Sequence, residues 1–264
     1  MTPYPMISLF RWWLIATLLM TSAAQAEMVN DLYEAEAPVV GQGSEARAAG
    51  IRDAFARVLV KVSGDRGLLT NADIGSLLKR ASSYVQQYRY RMLRGGSQTS
   101  ESGSPDRLLW VRFDERAVNR LLRESGVPVW GGTRPSVLVW LGEEQGAARS
   151  LLSLERQTSL KATLQHVAYS RGLPLLLPLM DVEDRSAMPV SDLWGGFETD
   201  IRRASERYLP DVILVGRLRD RGNEWQGEWT LYLPDKVNRW QTRADSEHAL
   251  AAEGLQQAAD ALAL

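Results

Sequence analysis

The alternation of apolar and polar positions begins at Leu32. From there to Val40 the residues Tyr33, Ala35, Ala37 and Val39 fall on one side, which predicts a half-buried strand. The period then changes. Ile51, Phe55, Val58, Leu59 and Val62 recur at helical spacing behind Ser44, expected to cap the helix, and Ser63-Gly64 ends it. Burial of each large member is worth about 1.5–3 kcal/mol, so this helix is expected to carry the first core. A second helix is predicted from Asn71, with Ile74, Leu77, Leu78, Ala81 and Val85 inward, running into an alternating strand at Tyr88–Met92. Leu108–Phe113 predicts another strand, and Asp114 caps a helix through Leu122 that Gly126 stops. The first unit is thus expected to be α+β, ordered β-α-α-β-β-α, with its boundary near Gly131–Pro135.

The pattern beyond Pro135 is different. Val137–Leu141 is a continuous apolar run, as in a strand buried on both faces. A helix is predicted over about 151–171, stopped by Gly172, followed by a strand at Leu173–Met180. Pro174 and Pro178 suit that strand to a sheet edge. Phe197, Ile201, Ala204 and Tyr208 mark a helix with Glu198, Arg202 and Glu206 as its solvated face. Val212–Leu218 predicts a third buried strand. Trp225–Leu233 follows, with Trp225, Gly227, Trp229, Leu231 and Leu233 on one side, then a strand at Arg239–Arg243 and a helix from Ser246. The expected second unit, residues 134–264, is an α/β mixed sheet of order β-α-β-α-β-β-β-α.

Residues 1–26 belong to neither unit. Arg11, the apolar run Trp12–Met20 and the small-x-small triplet Ala24-Gln25-Ala26 read as a secretory signal cleaved after Ala26. The run is too short to span a bilayer, which takes about 20 residues. The expected organisation is therefore a signal at 1–26, an α+β domain at 27–133 and an α/β domain at 134–264, located in the periplasm. Removal of the signal takes one of the 31 basic side chains and none of the 32 acidic ones, leaving a net charge of −2. That near-neutrality argues against a nucleic-acid partner. With no cysteine, the exported chain has no disulfide or thiolate chemistry and must be held by its core.

Signatures of chemistry are sparse. Gly41-x-Gly43 follows a strand and opens a helix, but no second strand ending in an acid follows at dinucleotide-site spacing. There is no Gly-x-Ser-x-Gly elbow, and His166 and His248 read as surface residues. No catalytic residue and no cofactor is assigned. One constellation supports a specific alternative. Glu143 and Glu144 are expected after the first buried strand of the second unit, and Asp181, Glu183 and Asp184 after the next. If those strands are parallel neighbours, the five carboxylates share the carboxyl edge of the sheet and could hold Mg²⁺ or Ca²⁺ for a hydrolase. Arg217, Arg219 and Arg221 alternate as a small anion-binding stripe. The triplets Trp130–Gly132 and Trp194–Gly196 read as packed indoles before turns, and residues 94–106, without a large apolar side chain, as a mobile loop.

The strand Leu32–Val40, the segment from Ala54 through Lys61-Val62-Ser63-Gly64-Asp65, the stretch Tyr84-Val85-Gln86-Gln87-Tyr88-x-Tyr90, and Trp130-Gly131-Gly132-x-Arg134-Pro135 together resemble the exported proteobacterial family known as domain of unknown function 2066. That resemblance brings no activity and no catalytic residues. It implies that the chain is either a short member or C-terminally incomplete. In element order the second unit is also similar to small α/β domains of envelope-assembly proteins, such as the curli secretion lipoprotein and the TolB amino-terminal domain. The leading expectation is a periplasmic, non-enzymatic interaction or adaptor protein with an envelope protein partner. That partner is expected at the exposed edge of the hairpin strands 224–243 or at the loop Arg94–Asp106. The alternative is the metal-assisted hydrolase.

Overall fold

The computed structural model describes residues 27–70, 72–92 and 105–263, so the signal segment and most of the 94–106 loop lie outside the described residues. The first unit opens with a short strand, β1 (Glu27–Met28), and continues through β2 (Glu34–Val39) and helix α1 (Ser44–Ser63). It then runs through α2 (Ala72–Leu78), β3 (Val85–Met92), β4 (Arg107–Phe113) and α3 (Glu115–Glu124). Its sheet has the order β2-β4-β3, antiparallel throughout. Ala35, Ala37 and Val39 point inward onto Phe55, Val58, Leu59 and Val62 of α1, as the two periodicities require. The Asp114 carboxylate accepts the Ala117 N–H at 2.7 Å and starts α3. Ser44 does not cap α1: it is the first helical residue, Gly43 precedes it, and no side chain closes the end. The second helix stops at Leu78, and Val85 already opens β3.

The second unit is a three-layer α/β/α arrangement around one mixed sheet. Its elements are β5 (Thr133–Arg134), β6 (Val137–Gln145), β7 (Ala148–Leu151), α4 (Thr158–Arg171) and β8 (Leu175–Leu176). Three short helices follow, α5 (Val182–Ala187), α6 (Val190–Gly195) and α7 (Glu198–Ser205). The chain closes with β9 (Val212–Asp220), β10 (Trp225–Tyr232), β11 (Val237–Ala244) and α8 (Glu247–Ala263). The sheet order is β11-β10-β9-β6-β7, with β8 parallel on the remaining edge of β6. Val137, Val139 and Leu141 face α4 and α8, while Leu138 and Trp140 face α5–α7. An apolar run without alternation therefore serves two cores at once. Among the described residues no helix is long and apolar enough to cross a membrane.

Three expectations change here. The helix expected over 151–171 begins at Thr158, because Gly146, with φ of +61°, makes a two-residue turn that pairs β6 with β7 as a hairpin. The strand expected at 173–180 is only Leu175–Leu176, since Pro174 and Pro178 flank it and cannot donate to a ladder. It does occupy an edge. Finally, Glu143 and Glu144 lie inside β6, both buried, and not in a loop after it.

Candidate functional site

The two units are joined by buried cations. Arg134, fully buried, has no carboxylate within ion-pairing distance among the described residues. Its guanidinium instead donates to four carbonyls: Gly131 at 2.7 Å, Arg171 at 3.0 Å, and Lys61 and Trp130 at 2.9 Å each. It also lies over the Trp130 ring at 3.7 Å. Burial pushes its pKa down to about 10, helped by the neighbouring Arg171 charge. Arg171 at the end of α4 donates to the Gly64 carbonyl at 2.6 Å, to Gln256, and to Asp260 at 2.7 Å. Lys61 donates to the Asp31 and Glu34 carbonyls and sits 3.7 Å from the centre of the Tyr169 ring. Burial lowers its pKa to about 8 against the pull of Asp31 and Glu34. The Lys-Val-Ser-Gly-Asp segment thus lies at the seam. Gly64 and Gly172, both with positive φ, let the chains approach there: a Cβ on Gly172 would fall 2.6 Å from Leu32. A cleft of about 400 Å³, lined by Asp31, Gln165, Tyr169 and Pro174 among others, opens beside it.

The five acidic residues fall into two separate sets, and among the described residues arginines engage all of them but Glu143. Glu144 pairs with Arg149 at 2.8 Å, Arg219 at 3.5 Å and Arg221 at 3.4 Å, and the Arg149 hydrogen bond holds its pKa below the usual range. Glu143 points to the opposite face, where it accepts a hydrogen bond from Gln145. Asp181 caps α5 by accepting the Asp184 N–H. Arg207 bridges Asp181 (3.0 Å), Asp184 (3.1 Å) and the exposed Glu183 (3.4 Å). Asp184, fully buried, also accepts from Tyr208 and the Met180 N–H at 2.7 Å each. Among the described residues no arginine that pairs with Glu144 also pairs with the α5 set, which has its own in Arg207. Among the described residues no group of three or more His, Asp or Glu could hold a metal ion.

The arginine stripe is not free either. Arg219 pairs with Glu228 at 2.8 Å and Arg217 with Glu228 at 3.7 Å, and Arg217 also donates to the Leu193 carbonyl. Trp194 of the second triplet lies near Arg149 (4.7 Å) and Arg219 (5.2 Å), and its buried indole N–H has no partner among the described residues. The sheet of the first unit follows the same pattern: Arg89 stacks on Trp110 at 4.3 Å, and Arg91 pairs with Glu36. The sequence reading missed Glu247. Half-buried at the start of α8, it has its pKa raised by burial and by Glu143, and one of its carboxyl oxygens lacks a partner among the described residues.

The remaining feature is the sheet edge. Among the described residues β11 pairs only with β10, over eight residues from Trp225↔Ala244 to Tyr232↔Val237. Its outer backbone groups make no hydrogen bond among the described residues. β7 and β8 are too short to offer a comparable edge, and β2 carries Pro38. β3 runs into residues outside the described set. Arg239, Gln241 and Arg243 are exposed along β11, and Lys236 is exposed just before it.

Comparison with known proteins corrects the family reading. The family model that matches is Domain of unknown function (DUF8605), over residues 26–131, and not domain of unknown function 2066. The match covers the first unit and stops at Gly131, short of the seam residue Arg134. No curated protein matches. One solved structure, the Thermus thermophilus Protein Y N-terminal domain, aligns at 9% identity over 48% of this chain and 97% of its own, with a TM-score of 0.22. A likeness that slight supports no conclusion about fold or function.

Proposed function

We propose that this chain is an exported periplasmic interaction protein, without catalytic activity of its own, that takes an envelope protein partner as an added strand along β11. The observation that carries the reading is the open, eight-residue edge of β11 in a sheet whose inner strands are buried on both faces. An edge of that length presents a row of unpaired N–H and C=O groups, the template for strand addition. Of the carboxylates that would serve a metal-assisted hydrolase, Glu144, Asp181, Glu183 and Asp184 are engaged by arginines and Glu143 points to the opposite face of the sheet, so no observation favours that second reading. The export half of the proposal rests on residues 1–26.

The test is site-specific photocrosslinking in cells that express the full chain with its own N-terminus. A photoreactive residue is placed at Gln241 and, as a control, at exposed Lys79. Fractionation should find the protein in the periplasm, and a discrete adduct should form from 241 and not from 79. A periplasmic protein that gives no adduct from any position between 237 and 244 would sink the strand-addition reading. A cytoplasmic protein would sink the export half.

A further inference from the structure

Charge alternates from strand to strand across the face of the sheet that packs on α5–α7. Hydrogen-bonded registers align Glu144 of β6 with Arg219 of β9, Arg219 with Gln226 of β10, and Gln226 with Arg243 of β11. In the next row, Arg217 of β9 lies opposite Glu228 of β10, which lies opposite Gln241 of β11. The strand columns on this face are therefore acidic (Glu144), basic (Arg217, Arg219), acidic (Glu228) and basic (Arg239, Arg243). The first three columns neutralise one another at 2.8–3.7 Å. The fourth has no counterpart: Arg239 makes no ion pair among the described residues, and Arg243, largely exposed, reaches only Glu224 at 3.9 Å.

Resting on the strand-addition reading above, we infer that the partner of β11 is an extended acidic segment with two carboxylates four residues apart, one opposite Arg239 and one opposite Arg243. On a strand, residues separated by four share a face about 13 Å apart, so both acids lie on the α5–α7 side with an uncharged residue opposite Gln241 between them. Such a strand continues the alternation by one column. The same geometry disfavours a second copy of this chain. Two β11 strands paired antiparallel about Gln241 would set Arg239 of each against Arg243 of the other, and like charges directly opposite destabilise a ladder. β3, the other eight-residue edge, lacks the free charge, because Arg91 is paired with Glu36 and Arg89 covers Trp110.

The experiment uses the protein purified from cells expressing the full chain and a capped nonapeptide of alternating Thr and Val with Glu at its third and seventh positions. A matched peptide carries Lys at those positions. Binding is followed by chemical-shift titration, and strand addition by hydrogen-exchange protection of the β11 amides. The Glu peptide should bind about tenfold more tightly than the Lys peptide. The exposed double variant Arg239→Glu/Arg243→Glu should invert that preference. Equal protection of β11 by both peptides would overturn the charge rule while leaving strand addition standing. Protection by neither would overturn both. A preference for Glu that survives the double variant, or a β11-mediated dimer that the peptide does not dissociate, would also overturn the inference.

Discussion

Gly254 of α8 lies flush against the indole of Trp229 on β10, so close that a Cβ at 254 would overlap the ring. Gly216 of β9 and Gly227 of β10 make room for the same ring, and its N–H donates to Thr242 at 2.7 Å. Trp229 is thus seated in a socket made by three glycines from three elements. Gly254→Ala should gain about 1 kcal/mol of helix propensity but lose more by overpacking, which costs about 1–3 kcal/mol. The expected outcome is a net loss of up to about 2 kcal/mol in denaturant unfolding. Trp229→Phe should relieve part of it in the double mutant, whereas strictly additive effects would show that the ring does not depend on the glycine.

Lys61 predicts a pH dependence with a definite sign. Its folded pKa, about 8, lies below the ordinary value near 10.5, so between these limits the unfolded chain binds more protons. The Lys61 contribution to stability should rise as pH increases from about 8 and level off only above about pH 10.5, with a total on the order of 3 kcal/mol. Above pH 10 Tyr169 acts in the opposite direction. Burial pushes its phenol up to about 12, so the unfolded chain deprotonates first and stability falls. Lys61→Met should flatten the first rise in urea midpoints measured across pH 7–10; an unchanged slope would show that the ammonium is not desolvated.

Arg134 holds four carbonyls that belong to the loop at 130–131, to α1 and to α4. Arg134→Met leaves those buried acceptors without donors and should cost about 3 kcal/mol. Arg134→Lys should cost about 2 kcal/mol, since a single ammonium cannot reproduce the planar fork. Both variants should split thermal unfolding into two transitions as the units uncouple. One cooperative transition with an unshifted midpoint would show that the seam does not depend on this side chain.

Mg²⁺, Mn²⁺ and Ca²⁺ should leave the melting temperature unchanged, because Arg207 already neutralises Asp181 and Asp184, the Arg149–Arg219–Arg221 group neutralises Glu144, and Glu143 stands apart on the opposite face. Asp184→Asn should be the more damaging of the acidic substitutions, by about 2 kcal/mol, since it weakens a buried acceptor of the Tyr208 O–H and the Met180 N–H. An ion-dependent rise that Asp181→Asn abolishes would restore the hydrolase reading.

The sequence by itself determined the elements whose periodicity is strong. The inward alanines of β2, the α1 stripe ended by Gly64 with φ of +76°, the Asp114 cap and the two-sided burial of β6 and β9 all follow from local patterns. Short elements escaped it. β7 depends on the Gly146 turn, and two of the three leucines between Pro174 and Pro178 are a strand only because β6 offers them an edge. Apart from the Glu198–Arg202 pair at i,i+4 spacing on α7, which charges meet was not legible. Glu144 finds Arg219 and Arg221, Arg66 finds Glu253 and Asp260, and Arg134 gathers its four carbonyls only when separate elements converge. Spacing along the chain fixes which face a side chain takes. Its partner across a sheet or a seam is set by register and packing, and those are properties of the tertiary structure alone.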